Sequence, residues 1–394
     1  MDSSKEARVE KTRGKERGAN LWFPLLLIVF CIAFEYFSSM HLPQQGNLVN
    51  GGRAGNTETF SVTNARTNLK ELTKFGPRVT GSKVTELSVT KYLKDKVKAV
   101  SKDLPSGVKI EIDQQNPASN FYLDFLGGMT NVSTQNTPFT FVLISLTIQI
   151  VCLQVYKNVS NVVVRISWTD EAAPGSIIDY DVTPITAHKE APFSVLVNAH
   201  FDSIPGSPGA ADDGIGVACM IEVLRILAHG PRLKHPIILL FNGAEEGNHQ
   251  AAHGFITQHR WAPQVKYVFN LEAIGSGGQE MMFQCNSGWL AAFYGKMAPH
   301  PHASVMAHEL FKHLLHRMAS TDWSTLLKYG SPGIRGIDTA YIQNGYVYHT
   351  TFDTADIVPS KFCQSLLVCF FSRHISCANG VVLLATVRYL RLFF

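Results

Sequence analysis

The sequence is poor in cysteine, and its few cysteines follow no pattern. The seven are scattered, without a CxxC pair, at positions 31, 152, 219, 285, 363, 369 and 377. This spacing excludes a disulfide-rich scaffold and a zinc site built on thiolates. One or two disulfides remain compatible with it, but no pairing can be assigned.

The chain also lacks a strong charge of either sign. Its formal net charge is +4 over 394 residues, and six of its basic residues lie within the first 17. A basic excess concentrated at one end gives no reason to expect a nucleic-acid partner. A hydrophobic fraction of 45% excludes a disordered chain. A chain of this length can hold one large catalytic domain or two ordinary ones.

One long apolar run follows the basic leader, residues 1–20. Residues 21–37 read LWFPLLLIVFCIAFEYF, with Glu35 near the far end, where a carboxylate can reach the membrane interface. Because the positive charges precede the run, we predict a transmembrane signal anchor with a cytoplasmic N-terminus and the remaining chain across the membrane. A cleaved signal peptide is the alternative. Two glycosylation sequons, at Asn131 and Asn158, fit a lumenal or extracellular location.

The rest of the chain is expected to form one main domain. Residues 38–59, rich in Gly, Asn and Gln, are predicted to be a linker, followed by a domain at 60–371 and an uncertain tail at 372–394. The apolar run 139–155 could be a second membrane span, which would return the following chain to the cytoplasm. Because this run is short and interrupted by polar residues, we favour a buried strand or an atypical insertion at about 132–158.

Short apolar strands and segments of helical spacing alternate along the domain. The strands are predicted at 121–125, 161–167, 193–198, 236–241, 265–272 and 337–342. The helices are predicted at 216–227 and 251–260 and on both sides of the turn at 76–82. This alternation is typical of an α/β fold with a mixed, largely parallel central sheet flanked by helices. Ligands bind at the carboxyl ends of the strands in such sheets.

Residues with metal-binding side chains stand at the ends of these strands. They are His200, Asp212, Glu245, Glu246, Glu272 and His349. Each alone is more often a turn residue or a helix cap, but carboxylates gathered at one edge of a sheet repel one another unless a cation lies among them. Imidazole and carboxylate ligands without thiolates suit zinc or, less specifically, manganese or cobalt. The pattern therefore predicts a metal site at this edge.

The order of these residues along the chain resembles a known enzyme family. The motifs are H-x-D at 200–202, A-D-D-G at 211–214, A-E-E at 244–246, N-L-E at 270–272 and Y-H-T at 348–350. Together with the G-P-R-x-T-G-S turn, they resemble the di-zinc aminopeptidase and glutamate carboxypeptidase family of metallopeptidases, in particular its endoplasmic reticulum branch. The resemblance covers roughly residues 60–125 and 160–360.

This resemblance implies a zinc exopeptidase (phosphorylase/hydrolase-like) fold and a role for each motif residue. The ligands implied for two zinc ions per chain are His200 and Glu272 at one, Glu246 and His349 at the other, and Asp212 between them. Glu245 would be the general base. Asp202 would orient the imidazole of His200. The implied substrate is a peptide, and the implied location is the endoplasmic reticulum membrane with the catalytic domain in the lumen.

Three features depart from the family pattern. Glu272 stands where many soluble relatives have Asp, although the endoplasmic reticulum branch resembles this chain in using Glu. Asp213, Gly214 and Ile215 follow the bridging residue at positions where the family has Asn or Ser. The long multi-span C-terminal region of the endoplasmic reticulum branch is absent, so we expect a truncated form.

Several other residues are of types that bind metals or line active sites. His308 and His313 resemble an H-E-x-x-H zinc motif, but five residue steps turn about 140° around a helix, so the two rings leave the common face. We therefore expect an exposed histidine-rich helix there. His249 and His253, which follow the glutamate pair, are not expected to be ligands. Asp322 is expected either to line the substrate pocket or to cap a helix.

The sequence leaves three functions open. The leading one is an aminopeptidase-type exopeptidase that acts on peptides in the lumen of the endoplasmic reticulum. A glutaminyl cyclase-like enzyme would use one zinc ion, and the retained His200 argues against it. A catalytically inactive receptor or scaffold would usually lack ligands or the base, whereas all of these positions are filled here. The cleavage preference and the oligomeric state are not predicted.

Overall fold

The structure is a computed structural model that describes residues 22, 24–34, 60–123, 152–169, 175–179, 193–298, 301–313 and 320–359. The chain divides into two compact units, residues 1–47 and 48–394. The predicted linker, the predicted C-terminal tail and the sequon at Asn131 lie outside the described residues.

In the N-terminal unit, residues 24–34 form a helix whose side chains are exposed. Phe30 and Phe34 stack on this helix, with ring centroids 6.2 Å apart. Among the residues that the structure describes, no helix is both long enough and apolar enough to cross a membrane. The anchor predicted at 21–37 is therefore not confirmed and stays a prediction.

A central sheet organises the second unit. Among the described residues, eight strands form it: β1 Val108–Gln115, β4 Asn161–Trp168, β5 Ser176–Asp179, β6 Ser194–His200, β7 Ile237–Asn242, β8 Val265–Ala273, β9 Met281–Cys285 and β10 Arg335–Tyr341. Two further strands, β2 Ala118–Leu123 and β3 Cys152–Lys157, form a separate small sheet. The main sheet has the order β5-β1-β4-β7-β6-β8-β10-β9. Strands β7, β6, β8 and β10 run parallel, whereas β4 and β9 pair antiparallel with their neighbours β7 and β10. The predicted mixed, largely parallel sheet is confirmed.

The parallel strands are buried on both faces, as their apolar sequences indicate. Every residue of β7, IILLFN, is buried. Its alternate residues enter two different cores, because Leu239 and Phe241 lie in one hydrophobic cluster and Ile238 and Leu240 in the other. Continuous apolar runs of this kind are typical of strands that helices cover on both sides.

Helices cover both faces of the sheet. They are α1 Val62–Thr73, α2 Thr90–Val100, α3 Ile215–His229, α4 Gln250–Gln258, α5 Gly288–Met297, α6 Val305–His313 and α7 Asp322–Tyr329. On one face, α1, α2 and α3 contribute Leu69, Leu93 and Met220 to the larger cluster. On the other face, α4 and α7 contribute Phe255 and Leu326 to the smaller one. The helices predicted on both sides of the turn at 76–82, at 216–227 and at 251–260 are confirmed.

The apolar run at 139–155 ends in a strand. Strands β2 and β3 form the separate two-stranded antiparallel sheet, in which Leu123 lies opposite Cys152. The last residues of the run belong to β3, so a strand is confirmed for this part, but among residues 153–155 only Gln154 is buried and Val155 is exposed. The residues of the run before Cys152 lie outside the described ones. Strands β1, β5 and β9 are not among those that the sequence predicts.

Candidate metal centre

The residues predicted at strand ends lie together at one edge of the sheet. They are His200 at the end of β6, Glu245 and Glu246 after β7, Glu272 near the end of β8, Asp212 in the irregular turn Ala210–Gly214, and His349 after the helical turn Gly345–Val347. Because β6, β7 and β8 are parallel, their carboxyl ends meet at the same edge. The fold therefore brings residues from distant parts of the sequence to one place.

Three buried side chains form the first ligand cluster. The Nε2 atom of His200 lies 3.1 Å from Oδ1 of Asp212 and 3.6 Å from Oε2 of Glu272. The side-chain amide of Asn270 donates a hydrogen bond to Oε1 of Glu272 at 3.2 Å. One ligand atom from each of the three side chains lies within 4.8 Å of the others, an arrangement that could hold a metal ion.

Asp212 also belongs to a second ligand cluster. The Nε2 atom of His349 lies 3.1 Å from Oδ2 of Asp212 and 3.2 Å from Oε1 of Glu246. The side chain of His349 is 34% exposed, whereas that of His200 is 1% exposed. The second cluster is therefore the one that faces solvent. Asp212 presents one carboxylate oxygen to each cluster.

Two atoms of the second cluster lie close together without a hydrogen bond, an arrangement that suits a cation between them. Oε1 of Glu246 and Nε2 of His349 are buried and make no hydrogen bond, although they lie 3.2 Å apart. Buried polar atoms nearly always have a partner, and a cation between these two atoms would supply one. The donors of both clusters are nitrogen and oxygen only, a set that suits zinc.

The electrostatics of the clusters reflect crowded carboxylates. Burial and the nearby charge of Asp212 raise the pKa of Glu246 to about 7. Burial lowers the pKa of His349, but its contacts with Asp212 and Glu246 outweigh that effect and raise the pKa to about 10. Burial, with the charge of Glu272, raises the pKa of Glu245 well above its usual range. A divalent cation would favour the deprotonated form of each of these groups.

Asp202 fixes the turn that carries the two glutamates. Its Oδ1 accepts a hydrogen bond from the backbone N–H of Glu245 at 3.1 Å, and its Oδ2 accepts one from that of Glu246 at 3.1 Å. The hydroxyl of Thr80 donates to the same Oδ2 at 2.7 Å. The Nδ1 atom of His200 lies 3.1 Å from the backbone oxygen of Asp202 and 3.4 Å from its carboxylate. Asp202 thus contacts the His200 ring and also holds the glutamate turn, a contact that the sequence does not predict.

A buried arginine, Arg78, fixes the loop between His200 and Asp212. The guanidinium of Arg78 donates hydrogen bonds to three backbone oxygens of this loop, those of Phe201, Pro208 and Gly209. Its backbone N–H donates to Oγ of Ser203 at 2.9 Å, and its backbone oxygen accepts from the N–H of Ser203 at 3.0 Å. The turn at 76–82, which contains Arg78, therefore supports the metal centre.

Asp353 holds the backbone of the shared ligand. Its Oδ1 accepts a hydrogen bond from the N–H of Ala211 at 2.7 Å, and its Oδ2 accepts one from the N–H of Asp212 at 3.1 Å. Burial raises the pKa of Asp353 to about 6, although these backbone hydrogen bonds oppose the rise. One buried carboxylate thus connects the segment of His349 with that of Asp212.

Asp322 has neither of the two roles expected for it. It is fully buried, so it does not line an open pocket, and it is the first residue of α7, whose N-cap is Thr321. Its Oδ2 accepts hydrogen bonds from the side-chain amides of Asn198 on β6 and Asn242 on β7. Asp322 therefore ties the start of α7 to two strands beneath the site.

The other histidines noted in the sequence lie outside both clusters. His313 pairs with Glu309 at 3.0 Å on the exposed face of α6, and Nδ1 of His308 lies 3.3 Å from the backbone oxygen of Phe283. His253 stacks on Phe121 with ring centroids 4.3 Å apart. Within the described ranges, none of these histidines belongs to a group that could hold a metal.

Comparison with protein families identifies the domain that carries the clusters. The sequence profile of peptidase family M28 matches residues 182–367, and this range contains all five clustered side chains. The chain carries a family M28 peptidase domain. The predicted metallopeptidase family is thereby confirmed.

Curated relatives of this M28 domain come from distant organisms. Endoplasmic reticulum metallopeptidase 1 of Homo sapiens is 38% identical over 341 residues, which are 86% of this chain and 32% of that protein. Putative endoplasmic reticulum metallopeptidase 1-A of Caenorhabditis elegans is 35% identical over 347 residues, which are 86% of this chain and 33% of that protein. The chain thus spans about a third of the length of these relatives.

Solved structures resemble the M28 domain in fold. The zinc aminopeptidase BSAP of Bacillus subtilis superposes with a TM-score of 0.52 at 15% sequence identity, covering 81% of this chain and 95% of that chain. At so low an identity the likeness concerns the fold alone. It confirms the predicted mixed α/β architecture with helices on both faces of the sheet.

Proposed function

We propose that this chain is a zinc metallopeptidase of the aminopeptidase type, an exopeptidase that uses two zinc ions and a glutamate base. The position of Asp212 supports this proposal most directly. Its two carboxylate oxygens face two separate imidazoles, each 3.1 Å away. A single carboxylate shared in this way suits a pair of cations better than one.

Five residues would hold the two zinc ions. His200 and Glu272 would bind one, Glu246 and His349 the other, and Asp212 both. When bound, two zinc ions would polarise the scissile carbonyl and lower the pKa of the attacking water. The exposed edge of His349 makes the second cluster the side from which substrate enters.

Glu245 is the residue that we assign as the general base. It directly precedes the ligand Glu246 but belongs to neither ligand cluster among the described residues, so its carboxylate is available to take a proton from water and pass it to the leaving amine. Its buried surroundings, with the charge of Glu272, raise its pKa well above the usual range, and a raised pKa makes a carboxylate a stronger base. Asp202 helps to position Glu245, because its carboxylate accepts a hydrogen bond from the backbone N–H of Glu245.

We place the enzyme at the endoplasmic reticulum membrane, with the M28 domain in the lumen. The names of the relatives from Homo sapiens and Caenorhabditis elegans support the compartment. The basic leader and the apolar run at 21–37 support the orientation. The substrate on this proposal is a peptide with a free N-terminus.

Metal content and cleavage of the purified full-length chain test the proposal together. We expect about two zinc ions per chain and removal of residues from peptides with a free N-terminus, with no cleavage of the same peptides after N-acetylation. One zinc ion per chain would favour a glutaminyl cyclase-like enzyme, and a chain without zinc or hydrolysis would favour a receptor or scaffold. Either of these outcomes would contradict the peptidase proposal.

A further inference from the structure

A buried histidine lies beside the glutamate that we assign as the base. The Nε2 atom of His249 lies 3.3 Å from Oε1 of Glu245, and the two side chains are 3% and 13% exposed. His249 belongs to neither ligand cluster within the described residues. Its ring therefore contacts the base and is not one of the residues that would bind zinc.

The other side of the same ring is held by helix α7. The Nδ1 atom of His249 lies 3.1 Å from the hydroxyl oxygen of Thr325, which is also buried. A hydroxyl can donate or accept, so it can match either tautomer of the ring. Contacts at both nitrogens leave the imidazole little freedom to turn. The ring thus links α7 to the glutamate turn after β7.

The backbone of this turn adopts an uncommon conformation that places His249 against Glu245. Asn248 and His249 follow one another with φ of 66° and 60°, in the left-handed region that non-glycine residues rarely occupy. The N–H of His249 donates to the backbone oxygen of Glu245 at 2.8 Å, which closes the turn. Outliers of this kind persist only where surrounding contacts hold them, and they are enriched at functional sites.

The contact between His249 and Glu245 joins a carboxyl group to a neutral ring and is not an ion pair. Burial lowers the pKa of His249 to about 4, although a hydrogen bond to the backbone of Ser320 opposes the change. At neutral pH the ring is uncharged, so its effect on Glu245 is directional. A neutral partner can fix the orientation of a carboxylate without removing its ability to accept a proton from elsewhere.

We propose that His249 is a positioning residue for Glu245, an inference that rests on the role of Glu245 as the base. The ring contacts Oε1 of Glu245 and would leave Oε2 to accept the proton of the attacking water. Thr325 is the anchor that keeps the ring in place. His249 does not itself meet the substrate, and its influence reaches the reaction only through the glutamate.

Kinetics of the full-length zinc-loaded chain test this role. His249→Leu should lower kcat about 10- to 100-fold, with KM within about twofold and zinc content unchanged, because the contact that orients the base is lost. His249→Gln, whose amide can donate or accept, should recover most of that loss. Thr325→Val should lower kcat about 3- to 10-fold by freeing the ring. A His249→Leu enzyme with kcat within twofold of wild type would overturn the proposal.

His253→Leu is the matched control. His253 is a buried histidine of α4, the helix whose N-cap is His249. Burial also lowers the pKa of His253 to about 4, and its ring packs against Phe121 and Tyr156 rather than the base. Its replacement should lower the melting temperature but leave kcat within about twofold of wild type. If His253→Leu lowers kcat as much as His249→Leu does, the effect belongs to helix α4 in general and the positioning role is wrong.

A spectroscopic measurement separates this inference from the proposed peptidase function. In the chain labelled with ¹⁵N-histidine, Glu245→Gln should shift the ring-nitrogen resonances of His249 and leave those of His253 in place. This readout needs no turnover. A wild-type chain without hydrolysis would therefore overturn the peptidase function alone, whereas unchanged His249 resonances in Glu245→Gln would overturn the contact on which the positioning role depends.

Discussion

The two carboxylate oxygens of Asp212 face two different histidines. Oδ1 lies 3.1 Å from Nε2 of His200, and Oδ2 lies 3.1 Å from Nε2 of His349. These histidines belong to separate segments of the chain, one at the end of β6 and the other after β10. A single side chain thus couples two clusters that would otherwise be independent.

Asp212→Ala should abolish zinc binding at both clusters, because each loses the ligand that they share. His349→Ala should instead remove one zinc ion, since the His200 cluster keeps all of its side chains. Inductively coupled plasma mass spectrometry of the two purified variants measures the difference. Retention of one zinc ion by Asp212→Ala would show that Asp212 is not shared.

Glu245→Gln should abolish hydrolysis while leaving zinc content near that of wild type, because the base is not a ligand. General-base catalysis typically contributes about 10²- to 10⁴-fold, so kcat should fall by at least that range. Turnover of a free-N-terminus peptide and metal analysis of the same preparation measure both quantities. If the variant kept most of its activity, another group would have to be the base.

Zinc affinity at the second cluster should rise with pH. The pKa values of Glu246 and His349 are raised to about 7 and about 10, so below pH 7 both groups carry protons that a bound cation must displace. Below pH 7, where two protons are displaced, zinc affinity should rise about a hundredfold per pH unit. Above pH 7, where one proton is displaced, it should rise about tenfold per pH unit. Competition with a chelator of known affinity at pH 6, 7 and 8 measures the slope. An affinity independent of pH would contradict the assignment of these two ligands.

Asp353→Ala should weaken zinc binding about 10- to 100-fold without removing a ligand. The carboxylate of Asp353 holds the backbone N–H groups of Ala211 and Asp212, and its loss would loosen the turn that aims the shared ligand. Asp356→Ala is the matched control, because this carboxylate lies in the same segment but is exposed. Equal zinc affinities for the two variants, measured by titration, would be inconsistent with this role of Asp353.

The sequence predicts the strands and the grouping of side chains at their ends, because both depend on local patterns. Unbroken apolar runs such as IILLFN mark strands buried on both faces, and parallel strands bring their carboxyl ends together wherever they lie in the chain. The grouping of His200, Asp212 and Glu272 follows from these rules and from the order of the motifs. The polar strand β1, VKIEIDQQ, lacks such a run and does not stand out.

The supporting residues could not be predicted, because their partners lie far away in the sequence. Asp353 is 141 residues from the backbone N–H of Asp212 that it holds, and Asp322 is 124 residues from Asn198. Nothing in the sequence around such a carboxylate distinguishes a buried acceptor from a helix cap or a pocket residue. His249 is similar, since its contact with Thr325 depends on how α7 packs against the glutamate turn.

The pairing of β2 with β3 has a consequence for how the chain can be threaded through a membrane. Leu123 and Cys152 are opposite one another in a hydrogen-bonded ladder, so both must reside in the same aqueous compartment. A chain that crossed a bilayer once between these two residues would put the two strands on opposite sides of it. The number of crossings between Leu123 and Cys152 is therefore even, zero included, and the described residues from α1 to His349 share one compartment.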